Sequence, residues 1–285
     1  MMRLQLLSDL HLERYPEFVP APAPDTDLLV LAGDIGSYQA GSRLATDDFG
    51  LARFSPRAPG SPWRTVLYVP GNHEYDGRDH AATRAELRRR CDDLGITWLD
   101  REVVVVDGVR FVGATLWADF DALAANEPTP TAQLRQREKA FRAANFYLSK
   151  FSTLRDGQVL LADGIRDLAL ADQAWLRAAL AAPFDGPTVA VTHFAPTLRS
   201  ADPRYGATPG TAGFCNTLDD LLPFARLWLH GHLHCPHDYV VEGVADGADG
   251  PRPFACRVVA NPRGYLSKGE QAGFLDGTSI GVPGT

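Results

Sequence analysis

The chain has 285 residues, 45% hydrophobic and 22% charged, and its 35 acidic residues against 28 Lys and Arg give a formal net charge of −7. That composition excludes disordered, fibrous and coiled-coil classes and supplies ample apolar material for a core. The acidic balance argues against a protein that coats nucleic acid or an anionic membrane, and no apolar run reaches the roughly 18 residues of a membrane span.

In chain order, the N-terminus meets the Asp9 carboxylate before a signal peptide's apolar region could form, so a cytoplasmic location is expected. Apolar runs rich in β-branched residues predict strands over 4–7, 27–32, 65–69, 103–106, 109–114, 188–192, 227–229 and 257–260. Asp107-Gly108, between two of these, predicts a hairpin. Apolar positions at three- and four-residue spacing predict helices over 80–94, 131–148 and 167–181. In the last of these, Leu168, Ala171, Ala174, Trp175 and Ala178 form one apolar stripe, read as core packing. Segments 35–63 and 117–156 are irregular around one or two helices and are expected either to shape a substrate mouth or to be family-variable loops. Strands alternating with helices make this an α/β protein with a mixed sheet system. The cysteines, Cys91, Cys215, Cys235 and Cys256, form no CxxC pair, as expected of a reducing compartment.

The chemistry sits in five polar clusters, each following a predicted strand. They are Asp9-Leu10-His11, Gly33-Asp34, Gly71-Asn72-His73-Glu74, Thr192-His193 and Gly231-His232-Leu233-His234. In α/β sheets ligands bind outside the carboxyl ends of strands, so clusters far apart in sequence can converge there. Taken singly, Asp-x-His or Gly-Asp is no more than a turn. The strongest piece is Gly-His-Leu-His, because histidines at i and i+2 on an extended segment face opposite ways and need a turn or two adjacent metals. A structural zinc cluster is the rival reading for His230, His232, His234, Cys235 and His237, but zinc-finger spacing is absent. A cysteine phosphatase would need a phosphate-cradling loop, which Pro236-His237-Asp238 is not.

In this order the clusters resemble the calcineurin-like metallophosphoesterase superfamily, whose pattern is D-x-H, G-D, G-N-H-[DE], H and G-H-x-H. The opening 4–13, Thr115-Leu116-Trp117 and Asn261-Pro262-Arg263-Gly264-Tyr265 resemble a bacterial metallophosphoesterase subgroup. Two positions depart: Leu233 stands where Thr is common, and Phe194 where many relatives have a second His. The resemblance implies one domain over residues 1–285, an α/β/β/α four-layer sandwich of two mixed sheets flanked by helices. It also implies two divalent ions, one held by Asp9, His11, Asp34 and His234 and the other by Asp34, Asn72, His193 and His232, with Asp34 as bridge. Mixed nitrogen and oxygen ligation suits Mn, Fe, Zn or Co better than Mg or Ca. The implied reaction is hydrolysis of phosphate mono- or diesters by a metal-bridging hydroxide, with His73 donating to the leaving oxygen. Glu74 would steer His73 or form a structural salt bridge. Arg199, Arg204 and Arg263 are candidate phosphate clamps.

The expected partner is therefore a small phosphate ester, with no extended nucleic acid and no membrane. A nuclease or cyclic-nucleotide phosphodiesterase on the same site is one alternative. A non-catalytic metal-binding scaffold is another, but a scaffold has little physical reason to retain a buried multi-His, multi-Asp cluster.

Overall fold

Short strands with apolar residues on both faces need a covering layer on each side. The computed structural model describes residues 2–26, 28–150, 153–246 and 250–284. Asp27, at the head of the predicted strand 27–32, and residues 151–152 of the irregular segment 117–156 lie outside the described residues.

The strands are β1 Arg3–Leu7, β2 Leu28–Ala32, β3 Thr65–Val69, β4 Thr97–Trp98, β5 Glu102–Val106, β6 Val109–Ala114, β7 Leu154–Arg155, β8 Gln158–Val159, β9 Thr188–Thr192, β10 Leu227–His230, β11 His237–Ala245, β12 Arg252–Ala260 and β13 Ser279–Gly281. The helices are α1 His80–Leu94, α2 Pro130–Leu148 and α3 Ala162–Ala181, with short 3₁₀ turns between elements. One sheet runs β13-β1-β2-β3-β4 and the other β11-β12-β10-β9-β6-β5, while β7 and β8 pair alone. In the first sheet β1 to β4 are parallel and only β13 is antiparallel. In the second, β6, β9, β10 and β12 are parallel, with β5 and β11 as antiparallel edges. The β5–β6 hairpin turns at Asp107-Gly108, both left-handed at φ 46 and 77, as an inverse-type two-residue turn requires.

Period-two alternation sorts the side chains into layers. Leu4, Leu6, Val30, Leu67, Phe111, Val189, Val191, Leu227 and Leu229 pack in one buried cluster between the sheets. The opposite face of the first sheet, with Leu7, Leu29, Leu31, Val66 and Tyr68, packs against Leu87 and Cys91 of α1. The opposite face of the second, with Val112, Ala190, Trp228 and Val258, packs against Leu176 and Leu180 of α3. The result is two mixed sheets face to face, flanked by helices.

Helix α1 is capped by Asp79, whose side chain accepts from Ala82 N, and ends at Gly95 with φ 73. Helix α3 begins at Ala162, ahead of the predicted residue 167, with no cap from its own chain end. Its first N–H is taken instead by Asn145 Oδ1 of α2 at 2.8 Å. Strand β11 is an exposed edge absent from the predicted set, and β12 extends from Arg252 rather than residue 257 to pair with it. His237 opens β11. No helix among the described residues is long and apolar enough to cross a membrane.

Parallel strands point their carboxyl ends the same way. The loops after β1, β2 and β3 therefore emerge at one end of the first sheet and face those after β9, β10 and β12 of the second.

Candidate metal centre

The loop after β1 is tied to the loop after β2 by Asp9 N donating to Gly33 O at 3.0 Å and His11 N donating to Asp34 O at 3.1 Å. Asp9, His11, Asp34, His232 and His234 all hold left-handed backbone, with φ between 48 and 71. Single residues in that region cost about 1 kcal/mol or more and concentrate where function demands a side-chain direction. Two glycines make the approach possible. A Cβ at Gly33 would fall on the His193 ring, and one at Gly71 on the Asp34 carboxylate.

These turns gather the side chains into two overlapping groups. Ligand-type atoms of Asp9, His11, Asp34 and His234 lie within 4.8 Å of one another, as do those of Asp34, His193 and His232, so Asp34 belongs to both. Asn72 Oδ1 lies 3.2 Å from His193 Nε2, in the second group. The left-handed turn at His232 and His234 lets residues two apart serve different groups. In the first, His11 Nε2 and His234 Nε2 approach to 3.1 Å. Both nitrogens face inward because the other ring nitrogen is committed outward. His11 Nδ1 donates to Glu13 Oε1 at 3.1 Å, His234 Nδ1 to Glu270 Oε2 at 2.6 Å, and His193 Nδ1 to Ala32 O at 2.8 Å. A carboxylate or carbonyl behind an imidazole fixes the tautomer that presents the Nε2 lone pair. The buried atoms Asp34 Oδ2 and His232 Nε2 have no hydrogen-bond partner. Buried polar atoms left this way are costly unless a cation takes them. The donor set thus fits metal ions.

The charges support the same arrangement. Burial opposes the charge on Asp34, yet His193 and His73 hold its carboxyl well below the usual range. Asp9 is likewise held low against burial by His234 and His193. Burial, then the His193 charge, keeps His232 well below the ordinary imidazole range, hence neutral.

His73 is separate from these groups. Its N–H donates to Asp34 Oδ1 at 2.9 Å, and its ring lies 5.2 Å from that of His11, edge on. Its Nδ1 meets Asp76 Oδ2 at 2.5 Å. Burial opposes protonation, but Asp76 and Asp34 outweigh it and raise His73 well above the ordinary imidazole range. The expectation that Glu74 steers His73 is corrected here. Glu74 instead accepts from Asp34 N, Ile35 N and Gly71 N at 3.2, 2.8 and 2.9 Å and from Tyr68 Oη at 3.0 Å, pinning the loops after β2 and β3 together.

The arginines predicted to clamp phosphate are engaged elsewhere. Arg199 pairs with Asp219 at 3.1 Å, and Arg204 with Asp202 at 2.6 Å. Arg263 lies over the Phe18 and Tyr15 rings at 4.1 and 4.9 Å. From the same late segment it is Tyr265 that reaches the centre, stacked on the His11 ring at 4.2 Å and 22°. Glu270 and Asp76 were not singled out from sequence, and Tyr265 and Glu13 entered only within segments of family resemblance, without a role. Glu13 and Asp76 lie two and three residues from His11 and His73, a detectable signal, whereas Glu270 carries none. His230 is buried beneath the centre, its Nδ1 donating to Gly231 O and its Nε2 facing Ser200 Oγ at 2.9 Å. His80, at the head of α1, stacks on Tyr75 at 4.8 Å.

The model of the calcineurin-like phosphoesterase family matches residues 2–236. The chain belongs to that family. As a member it is a phosphoesterase, a hydrolase of phosphate esters that works with divalent metal ions. The chain is also similar to uncharacterized protein L509 of Acanthamoeba polyphaga mimivirus, 25% identical over 85% of this chain and 88% of that protein. Among solved structures it resembles the phosphopantetheinyl hydrolase PptH from Mycobacterium tuberculosis, with a TM-score of 0.64, 21% identity, and 97% and 95% of the two chains covered. That likeness places the phosphoesterase in the same layered fold. Tyr265 and Glu270 lie beyond the part of the chain that the family model spans.

Proposed function

We propose that the chain is a dinuclear hydrolase of small phosphate mono- or diesters, with Asp9, His11, Asp34 and His234 holding one ion and Asp34, Asn72, His193 and His232 the other. The observation that carries this reading is Asp34, common to both groups of ligand-type atoms, with a buried oxygen that makes no hydrogen bond and faces His193 Nε2 at 3.3 Å. A carboxylate has two oxygens and can serve two ions, which an imidazole with one free lone pair cannot. Bound Mn, Fe or Zn would supply Lewis-acid polarisation of the phosphoryl group and a water of lowered pKa. The remaining work falls to the chain. Asn72 offers an oxygen without charge, leaving its group the more electron-poor.

His73, protonated beside Asp76, donates from Nε2 to the departing ester oxygen, and Asp76 at Nδ1 keeps that nitrogen turned toward the substrate. Residues drawn from Asp9 to Glu270 meet at this centre, so we read residues 1–285 as one functional unit. The free cysteines Cys91, Cys215, Cys235 and Cys256 accord with the reducing cytoplasm as its location.

The test is purification without chelator, measurement of bound transition metal, and assay of p-nitrophenyl phosphate and its bis-ester. About two equivalents of metal, with turnover lost in Asp34→Asn, support the reading. A metal-free and inert protein overturns it, and a protein that binds metal without turnover is the scaffold. The ratio of mono- to diester rates separates phosphatase from phosphodiesterase.

A further inference from the structure

The wall of the centre on the His232 side is aromatic. Phe194 lies against the His232 ring at 3.9 Å and 35°, and Phe214 reaches the same imidazole at 5.1 Å and 31°. Phe194 is buried and backed by Trp117 at 5.6 Å, so packing accounts for it. Phe214 is 43% exposed. Its exposure is not a matter of a loose loop. The preceding turn, Pro209–Gly213, is closed by a capping box between Thr208 and Thr211 and packs against α2. Phe214 N donates to Thr211 O at 3.0 Å, and Asn216 N donates to Ala195 O at 2.9 Å. The buried Asn216 side chain in turn donates to Leu116 O and accepts from Asp119 N, each at 3.2 Å. Backbone on both sides of the ring is held while the ring stays partly in water, beside the His232 imidazole.

The charged neighbours narrow what such a ring could meet. Arg204, on the same loop, is held by both Asp202 oxygens, and Arg199 is paired with Asp219. Neither is left unpaired to attract a second phosphate on this side. A fixed aromatic face, with both of these arginines paired to acids, suits a flat, uncharged ring by offset stacking.

We propose that Phe214 is the stacking surface for a planar aromatic ring in the organic part of the ester. Substrates are then aryl or nucleoside phosphates rather than phosphates of aliphatic polyols. This rests on the hydrolase reading above.

The experiment compares phosphate release from phenyl phosphate, adenosine 5′-monophosphate and glycerol 3-phosphate by the manganese-loaded enzyme. Calorimetry of phenylphosphonate and methylphosphonate binding accompanies it. Ring-bearing esters should exceed glycerol 3-phosphate in kcat/KM by about tenfold, and F214A should bring that ratio to about one, mainly through KM. F214W should restore it. F214A should weaken phenylphosphonate about tenfold relative to methylphosphonate. The order of the two ring-bearing esters tells a nucleobase from a simple aryl group. Equal rates for all three esters in the wild type, or an equal loss on all three in F214A, overturn the stacking surface and leave the hydrolase reading intact. Absence of phosphate release from all three monoesters, with bis-p-nitrophenyl phosphate also left intact, overturns the hydrolase reading instead, and calorimetry then decides Phe214 by itself.

Discussion

The two halves of the centre are built from different materials. Around Asp9, His11 and His234 the supports are charged: Glu13 stands behind His11 and Glu270 behind His234, with Tyr265 laid over the His11 ring. Around Asn72, His193 and His232 they are neutral: a main-chain carbonyl behind His193, and two phenyl rings against His232. A carboxylate behind an imidazole strengthens it as a ligand more than a carbonyl does, and apolar rings strengthen it not at all. On the dinuclear reading proposed above, the first half would retain a cation, and the second would leave one electron-poor and open to substrate. Asp34 is the only acidic side chain joining them among the described groups.

The largest expected effect comes from removing that joint. Asp34→Asn should lower kcat by about a thousandfold or more, with bound metal measured alongside to show that both sites are lost. The asymmetry itself predicts that a chelator titration releases one equivalent of metal before the other. Glu270→Gln should weaken the tighter equivalent about 10- to 100-fold, read by metal titration, and so narrow the gap between the two.

A smaller effect is expected at His73. Asp76 and Asp34 raise its pKa well above the ordinary imidazole value, so the proton that the proposed mechanism takes from it would be present at neutral pH and lost only as pH rises through that raised value. Asp76→Asn should move the alkaline limb of the pH–rate profile downward and lower kcat about tenfold. An unmoved limb would remove Asp76 from the reaction.

The last effect lies outside both halves and touches stability rather than turnover. Burial holds His80 neutral down to about pH 4, against an ordinary value of 6.5. Its proton therefore binds the unfolded chain more readily, and stability falls as pH drops from 6.5 toward 4. His80→Gln should remove about 1–3 kcal/mol of that acid sensitivity, seen in denaturation midpoints across the window.

Much of this was legible before any coordinates. Buried parallel strands read as uninterrupted apolar runs, and the polar cluster after each one marks where the chain leaves the sheet. Edge strands were not legible: β11 is mostly exposed, with Glu242, Gly243 and Val244 exposed in a row, and β4 and β13 are too short to show a period. The start of α3 was hidden because its cap is Asn145 on another helix. The ligand-type residues were found by local motif, but their supports mostly were not, since Glu270 meets His234 across a gap of 36 residues. The arginines misled for a related reason. A guanidinium near the motif looks available until its acid, Asp219 or Asp202, is seen in place.

The left-handed backbone at Asp9, His11, Asp34, His232 and His234 makes these positions weak points of the fold as well as its working parts. Glycine would relax each of them, and at the acids would also remove a buried charge. Selection for thermal endurance alone should therefore erode the centre first, accumulating glycines there that raise Tm while turnover disappears. The sheets could survive such a history intact, leaving a sturdier molecule with nothing to do.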